Sequence, residues 1–307
     1  MSVKGMGRGC FGDLVNVLQV ALQQQGFYTG AVDGDFGGGT ERAVQAFQAS
    51  AGQRQTGCAE PATWRRATGL DWPALFERCL QVTARLEGHG YQTVAGNFDG
   101  AGLTWGIIGF TLQHGGIQAL VREAMLRDPA VVRAAFGESA DELVERLSGG
   151  DWNKLKGWAD GISLGANRAG VAQPWRDGFR RLGAAPLMKQ LQREHARRQY
   201  FEPSQATAQA LELGGELGAA LAFDIHVQNG GVKAADRKTF AARMARAGDR
   251  SPSARRALLA DLVAASASAR WRADVAARKR AIATGLGEVH GMHLDLSTWG
   301  MDLEDPA

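Results

Sequence analysis

The feature that most constrains this chain is the stretch from Leu86 to Gly106, where two acids and a threonine are set among glycines. Glu87 closes a segment whose apolar residues recur at helical spacing, and glycines follow it at once. Asp99 opens a second glycine-rich turn, and Thr104 stands at the start of a run typical of a β-strand. The pattern therefore predicts that a helix end and a β-hairpin hold two carboxylates apart.

Two carboxylates placed in this way suit the hydrolysis of a glycosidic bond. One acid must be protonated to give its proton to the leaving oxygen, and the other must be ionised to activate water or stabilise an oxocarbenium-like transition state. We predict Glu87, Asp99 and Thr104 as catalytic residues. Each also has a structural alternative: Glu87 as a surface acid, Asp99 as an Asx turn, and Thr104 as an ordinary strand residue.

Length and charge narrow the class of protein. The chain has 307 residues, enough for two domains, and 45% hydrophobic and 22% charged residues are typical of a soluble globular protein. The formal net charge of +3 suits an anionic polymer but is far too small for a nucleic-acid partner. The N-terminus has no apolar signal segment and no stretch reaches membrane-spanning length, so we expect cytoplasmic synthesis, no stable membrane insertion and release by another route.

The first 68 residues predict a compact module of three helices. This segment resembles the three-helix peptidoglycan-binding module that accompanies many cell-wall hydrolases. The resemblance implies peptidoglycan as a partner. Tyr28, Asp33 and Phe36 are the candidates for ligand contact, although most of the matching residues also serve as scaffold. The matching residues are Leu18-Gln19, Gly26–Gly30, Val32–Gly37, Thr40, Ala43-Val44, Phe47-Gln48, Gly52, Thr56-Gly57 and Thr63-Trp64.

Residues 69–307 predict a second domain, in which one small β-hairpin sheet lies beside many helices. The prediction is therefore a mainly α (α+β) chain. The predicted helices after the hairpin are 117–127, 129–136, 139–148, 151–158, 174–182, 186–201, 204–229, 236–247, 252–264 and 266–283.

The segment from Asp99 to Thr111 resembles the D-G-x-G-x-T-x-G-x-x-G-F-T stretch of the chitosanase family of glycoside hydrolases, and phage-type lysozymes carry a looser version. The resemblance implies a lysozyme-like fold. It also implies that Glu87 is the general acid, that Asp99 is the general base and that Thr104 positions the attacking water. The interval from Glu87 to Asp99 is nearer to that of phage-type lysozymes, which leaves substrate and stereochemistry open.

A second stretch, Leu221–Gly231, resembles the helix of that fold that contributes an acid and a polar end to the cleft floor. Asp224 and Asn229 are therefore candidate substrate-binding residues. The alternative for Asp224 is a structural ion pair with an arginine, because a buried acid within an apolar helix needs a partner.

Metal and thiol chemistry have little support in this sequence. The six histidines form no HExxH or HxH motif, and we expect an irregular tail around His290 and His293. Cys79 fits a helix core, whereas Cys10 and Cys58 are either bridged or free thiols. We predict no metal and no cofactor.

The sequence therefore favours a monomeric, endolysin-like muramidase that cuts the glycan strand of peptidoglycan. A chitosanase that acts on glucosamine polymers is the alternative within the same class. A wall-binding protein without catalysis is the alternative in another class, and the presence of both acids disfavours it.

Overall fold

The computed structural model describes residues 4–88 and 90–305. It confirms a mainly helical chain with a small antiparallel sheet around Thr104, and it adds two further two-stranded sheets that were not predicted. The helices are α1 Asp13–Gln24, α2 Gly38–Ser50, α3 Pro61–Thr68, α4 Leu75–Glu87, α5 Gly116–Arg127, α6 Pro129–Phe136, α7 Ala140–Ser148, α8 Trp152–Ile162, α9 Trp175–Ala184, α10 Pro186–Ala196, α11 Glu202–Ala210, α12 Gly215–Asn229, α13 Ala234–Arg246, α14 Pro252–Ala265 and α15 Arg272–Thr284.

Three small sheets accompany the helices in the described residues. A three-stranded sheet has the order β1-β2-β3, and two hairpins pair β4 with β5 and β6 with β7. The strands are β1 Val94–Ala95, β2 Thr104–Trp105, β3 Phe110–Thr111, β4 Ser163–Leu164, β5 Gly170–Val171, β6 Leu286–Val289 and β7 Met292–Asp295. Across the described part of the chain, no helix is both long and apolar enough to span a membrane.

The chain divides into two compact units. One contains the residues up to Leu86 together with those from Tyr200 onward, and the other runs from Glu87 to Gln199. We call them the terminal unit and the central unit. All three predicted catalytic residues belong to the central unit.

In the terminal unit, α1, α2 and α3 pack around Leu18, Phe47 and Trp64, which are buried. The side chain of Gln19 is fully buried and ties the loop after α1 to this core. Its Nε2 donates to Asp33 Oδ1 at 3.0 Å, and its Oε1 accepts from Gly34 N at 2.9 Å. A buried amide satisfied on both sides fixes the loop without leaving an unpaired polar group.

The N-terminal segment also joins the far end of the chain. Met6 forms β-bridges with both Ala59 and Trp299 and is fully buried, and Gly7 N donates to Thr298 O at 2.9 Å. The first helices and the C-terminal segment therefore share one hydrogen-bonded junction within the terminal unit.

Two sequence predictions for the terminal unit are wrong. The predicted helix 204–229 is two helices, α11 and α12, because Glu212, Gly214 and Gly215 take positive φ values and break the helical path. The predicted irregular tail is the β6–β7 hairpin, in which Val289 pairs with Met292 across a turn of His290 and Gly291. His290 and Gly291 also take positive φ values, 52° and 74°, which allow the tight turn between β6 and β7.

The three cysteines are free thiols, which settles the alternative left open for Cys10 and Cys58. Cys10 is fully enclosed, and burial raises the pKa of its thiol to about 12. Cys79 lies in the core of the terminal unit, as predicted.

In the central unit, Trp105 is the centre of the packing. Its ring lies 5.2 Å from that of Phe179, and its Nε1 donates to Phe179 O at 3.1 Å. Phe136 meets Phe179 edge-on at 5.1 Å. This contact anchors the three-stranded sheet against α6 and α9.

Candidate active site

The sheet of the central unit fixes Thr104. Within β2, Thr104 pairs with Ala95 on one side and Thr111 on the other, and Trp105 beside it is buried. Thr104 itself is 6% exposed. Among the described residues its Oγ1 has no hydrogen-bond partner, although the atom is shielded from solvent. A buried hydroxyl is costly unless a water or a ligand group completes its hydrogen bonding.

Asp99 lies in a tight turn just before β2. Its Oδ1 accepts a hydrogen bond from Ala101 N at 3.0 Å, which is the Asx turn expected as the structural alternative. Gly100 and Gly102 carry φ values of 92° and 82°, a conformation that glycine adopts without strain. The side chain is nevertheless exposed, so the turn orients one oxygen and leaves the carboxylate open to solvent.

Asn97 holds this turn in place through three hydrogen bonds. Its Oδ1 accepts from Gly102 N at 2.9 Å, and its Nδ2 donates to Asp160 Oδ1 at 2.6 Å. Its backbone N donates to Ser163 Oγ at 2.8 Å. Hydrogen bonds from Lys156 and Asn97 hold the pKa of Asp160 below its usual range, so this acceptor stays ionised. The turn is thereby attached to the end of α8.

Gln192, fully buried on α10, braces the other side of the sheet. Its Nε2 donates to Tyr91 O at 3.1 Å, and its Oε1 accepts from Ile107 N at 2.9 Å. A side chain at Gly106 would collide with this amide. One glutamine therefore sets the spacing between the segment that follows Glu87 and the β2–β3 turn.

Glu87 is the last residue of α4, and Gly88 follows with a φ of 68°. The glutamate is half-buried, and its Oε1 has almost no solvent-accessible surface. One oxygen of the carboxyl is therefore shielded, while the side chain as a whole stays partly open to solvent. His89, two residues on, lies outside the described residues.

Phe98, next to Asp99, is a candidate that sequence reasoning missed. Its ring is 53% exposed at the tip of the turn. An exposed aromatic ring beside an acid offers an apolar face on which a sugar ring can stack. Its position within the glycine-rich stretch was the available signal. The roles of Asn97, Asp160 and Gln192 had no such signal, because their partners lie far away in sequence.

The structure does not bring all the predicted residues into one unit. Glu87, Asp99 and Thr104 belong to the central unit, whereas Asp224 and Asn229 belong to α12 of the terminal unit.

Asp224 is a structural ion pair in this fold, which corrects its assignment to substrate binding. It is 0% exposed and accepts from Arg278 Nη2 at 2.6 Å and Lys279 Nζ at 2.5 Å. Thr83 Oγ1 donates to it at 3.3 Å. Desolvation alone would raise the pKa of Asp224, but the two cations outweigh it and lower the pKa to about 2. The acid therefore neutralises buried cations and presents no surface to a ligand.

Asn229 ends α12, and Gly230 caps the helix in the left-handed conformation. Its Oδ1 is shielded, and in the described part of the chain it has no hydrogen-bond partner. The side chain is half-buried. Substrate contact by Asn229 stays a prediction.

The ligand residues predicted in the first helices divide into two kinds. Phe36 is 1% exposed, and Tyr28 is buried with its hydroxyl donating to Ala31 O at 2.8 Å. Both are core residues, which corrects the expectation that they contact ligand. Asp33 is exposed, and hydrogen bonds from Asp35 N and Gln19 lower its pKa, so it presents a fixed negative charge.

Within residues 4–88 and 90–305, no three His, Cys, Asp or Glu side chains are grouped to hold a metal ion. The two C-terminal histidines instead pair with acids. His290 Nε2 lies 2.6 Å from Asp274 Oδ1, and His293 Nδ1 lies 2.8 Å from Glu288 Oε1.

Comparison with known families identifies the class. Residues 11–66 match the model of a putative peptidoglycan binding domain, and residues 84–257 match a glycosyl hydrolase model. The protein is therefore a glycoside hydrolase that carries a peptidoglycan-binding domain. The second model is that of glycosyl hydrolase family 46, and because it spans more than half of the chain, the chain belongs to that family.

Two solved structures resemble the chain at low identity. A Gynuella sunshinyii GH46 chitosanase in complex with chitotetraose is 16% identical, with a TM-score of 0.49 over 69% of this chain and 87% of that one. A second chitosanase complex is 18% identical, with a TM-score of 0.37 over 68% and 78% of the two chains. A search among curated proteins finds no match.

Proposed function

We propose that this protein hydrolyses the glycan strand of bacterial peptidoglycan. The observation that carries the proposal is the union, in one chain, of a family 46 hydrolase segment and a peptidoglycan-binding domain. Tethering to the wall raises the effective concentration of the glycan at the catalytic unit without changing its chemistry.

The charge of the central unit supports this substrate. Residues 87–199 contain 14 Lys and Arg against 12 Asp and Glu, a formal net charge of +2. This small excess gives a polycationic, deacetylated glucosamine polymer no net attraction, whereas the stem peptides of peptidoglycan carry carboxylates.

In the proposed mechanism, Glu87 gives its proton to the oxygen of the leaving sugar as the bond from the anomeric carbon to that oxygen breaks. Asp99 takes a proton from water, whose oxygen forms the new bond to the anomeric carbon. The Thr104 hydroxyl holds that water. Attack from the face opposite the leaving group inverts the anomeric configuration.

Chitosan hydrolysis is the second candidate. The Asp99–Thr111 stretch favours it, since this stretch follows the chitosanase pattern position by position. The two candidates share the acid and the base and differ in which polymer reaches them.

Product analysis distinguishes the two candidates. We expect purified peptidoglycan to yield saccharide fragments with new reducing ends, identified by mass spectrometry, and chitosan to be cut far more slowly. Glu87→Gln should lower the rate about a thousandfold or more, because the amide cannot donate the proton. Glu138→Gln, an exposed acid of the same unit, is the matched control and should leave the rate unchanged. Faster cleavage of chitosan than of peptidoglycan would select the second candidate, and an active Glu87→Gln enzyme would refute both.

A further inference from the structure

A cavity of about 640 Å³ lies in the central unit, among α5, α7, α8 and the segment after β3. Its walls are largely apolar, with Leu112, Val144 and Leu147 among them, and Trp152 adds an aromatic face. None of these side chains belongs to the proposed catalytic residues.

The cavity adjoins the turn that carries Asp99. Gln113 N donates to Ala101 O, and Leu112 N donates to Leu103 O, each at 3.0 Å. A Cβ built on Gly102 would lie 3.0 Å from Leu112 Cβ and 3.4 Å from the Trp152 ring. The segment that lines the cavity and the turn that carries Asp99 are therefore hydrogen-bonded neighbours.

Two polar groups in the cavity lack partners. Gln118 donates through Nε2 to Leu112 O at 2.8 Å, but its shielded Oε1 has no hydrogen-bond partner in the described residues. Arg122 lines the cavity and forms no ion pair with any residue that the structure describes. The site thus offers one acceptor for an N–H donor and one cation for an anion, set in an apolar surface.

We propose that this cavity binds the stem peptide of the peptidoglycan strand whose glycan is cut at Glu87 and Asp99, a proposal that rests on the proposed function. A stem peptide has amide N–H groups for Gln118, methyl side chains for the apolar wall and carboxylates for Arg122. An unsubstituted glucosamine polymer has no anion to offer. An extended peptide spans about 3.3–3.6 Å per residue, so roughly three residues reach about 10 Å from the sugar that bears them.

The test uses the full chain and two matched glycans. Intact peptidoglycan carries stem peptides, and amidase-treated glycan strands lack them. Arg122→Ala should raise KM for intact peptidoglycan about tenfold, since a charge-assisted hydrogen bond is lost, with kcat little changed. It should not alter the hydrolysis of the stripped strands. Ser148→Phe, an exposed rim position, should act in the same way by filling the mouth.

Arg133→Ala is the matched control, because Arg133 is an exposed arginine on α6 outside the cavity. Direct binding is measured with muramyl dipeptide by NMR on Glu87→Gln, so that no turnover is required. If the enzyme cuts peptidoglycan but Arg122→Ala and Arg133→Ala have the same KM for it, the cavity proposal alone is overturned. An equal loss on stripped strands would also overturn it. Arg122-dependent binding of muramyl dipeptide without peptidoglycan cleavage would support the cavity and refute the proposed function.

Discussion

Asn97 and Asp160 are joined by a hydrogen bond of 2.6 Å from Nδ2 to Oδ1, across 63 residues of sequence. Through this bond the end of α8 supports the turn that presents Asp99. Lys156 and Arg168 also hold Asp160, each at 2.7 Å, so the support is itself fixed in place. The position of the proposed base therefore depends on a residue that takes no part in the chemistry.

Replacing Asn97 with alanine tests this support. Asn97→Ala removes the bonds to Asp160 and Gly102, so we expect kcat to fall about tenfold or more while KM changes little. The free energy of unfolding should fall by about 1–3 kcal/mol, the cost of leaving buried partners unsatisfied. Steady-state kinetics and urea unfolding measure the two effects. Asn153→Ala, an exposed residue on α8, should change neither, and an unaltered kcat in Asn97→Ala would contradict the positioning role.

Replacing Asp99 tests the proposed base and the stereochemical course of the reaction. If Asp99 is a base acting through water, Asp99→Asn should lower the rate about 100-fold or more, and azide should restore turnover by replacing that water. With wild-type enzyme, NMR should detect the α-anomer first from a β-linked glycan. A β-anomer formed first would show retention, and Asp141→Asn serves as the exposed control in the same unit.

Replacing Thr104 distinguishes a structural role of its hydroxyl from a catalytic one. Thr104→Val keeps the shape of the side chain and removes a buried hydroxyl that lacks a partner in the described residues. Stability should stay equal or rise, because an unsatisfied polar group disappears. The rate should nevertheless fall about tenfold if that hydroxyl holds the attacking water. Thr111→Val on the neighbouring strand is the control, and full activity in Thr104→Val would exclude the assignment.

The ion pairs of Asp224 should make the free energy of unfolding depend on pH, independently of catalysis. Its pKa is lowered from 3.8 to about 2 in the folded protein, so its contribution is present above about pH 4 and lost as the pH falls toward 2. Asp224→Asn leaves Arg278 and Lys279 without their anion and should cost about 3–5 kcal/mol at neutral pH. The difference in urea midpoint between variant and wild type should narrow below pH 4. Asp261→Asn, which breaks an exposed pair with Arg280, should cost at most about 1 kcal/mol.

The junction at Met6 links the wall-binding helices to the C-terminal segment. Met6→Ala should destabilise the terminal unit by about 2–5 kcal/mol, because it opens a cavity among residues that bridge both segments. Urea unfolding followed by fluorescence should show the loss, whereas Leu126→Ala, 76% exposed, should show none. An unchanged midpoint in Met6→Ala would mean that the bridge contributes nothing.

The local features of this chain were predictable from its sequence. Apolar spacing gave most helices, glycines marked the Asp99 turn, and the strand at Thr104 followed from its β-type run. Each of these depends on neighbouring residues, whose side-chain periods and backbone preferences act over a few positions. The family resemblance rested on the same local patterns and was confirmed.

Only the tertiary structure decided what lies between distant segments. It showed that Asp224 neutralises Arg278 and Lys279, that Phe36 is core, and that Gln192 and Asp160 brace the candidate site. These contacts join residues dozens of positions apart, and burial depends on what covers a side chain rather than on its identity. The sequence by itself determined which groups can do acid–base chemistry, and the fold decided which of them are exposed, which are satisfied and which hold the others in place.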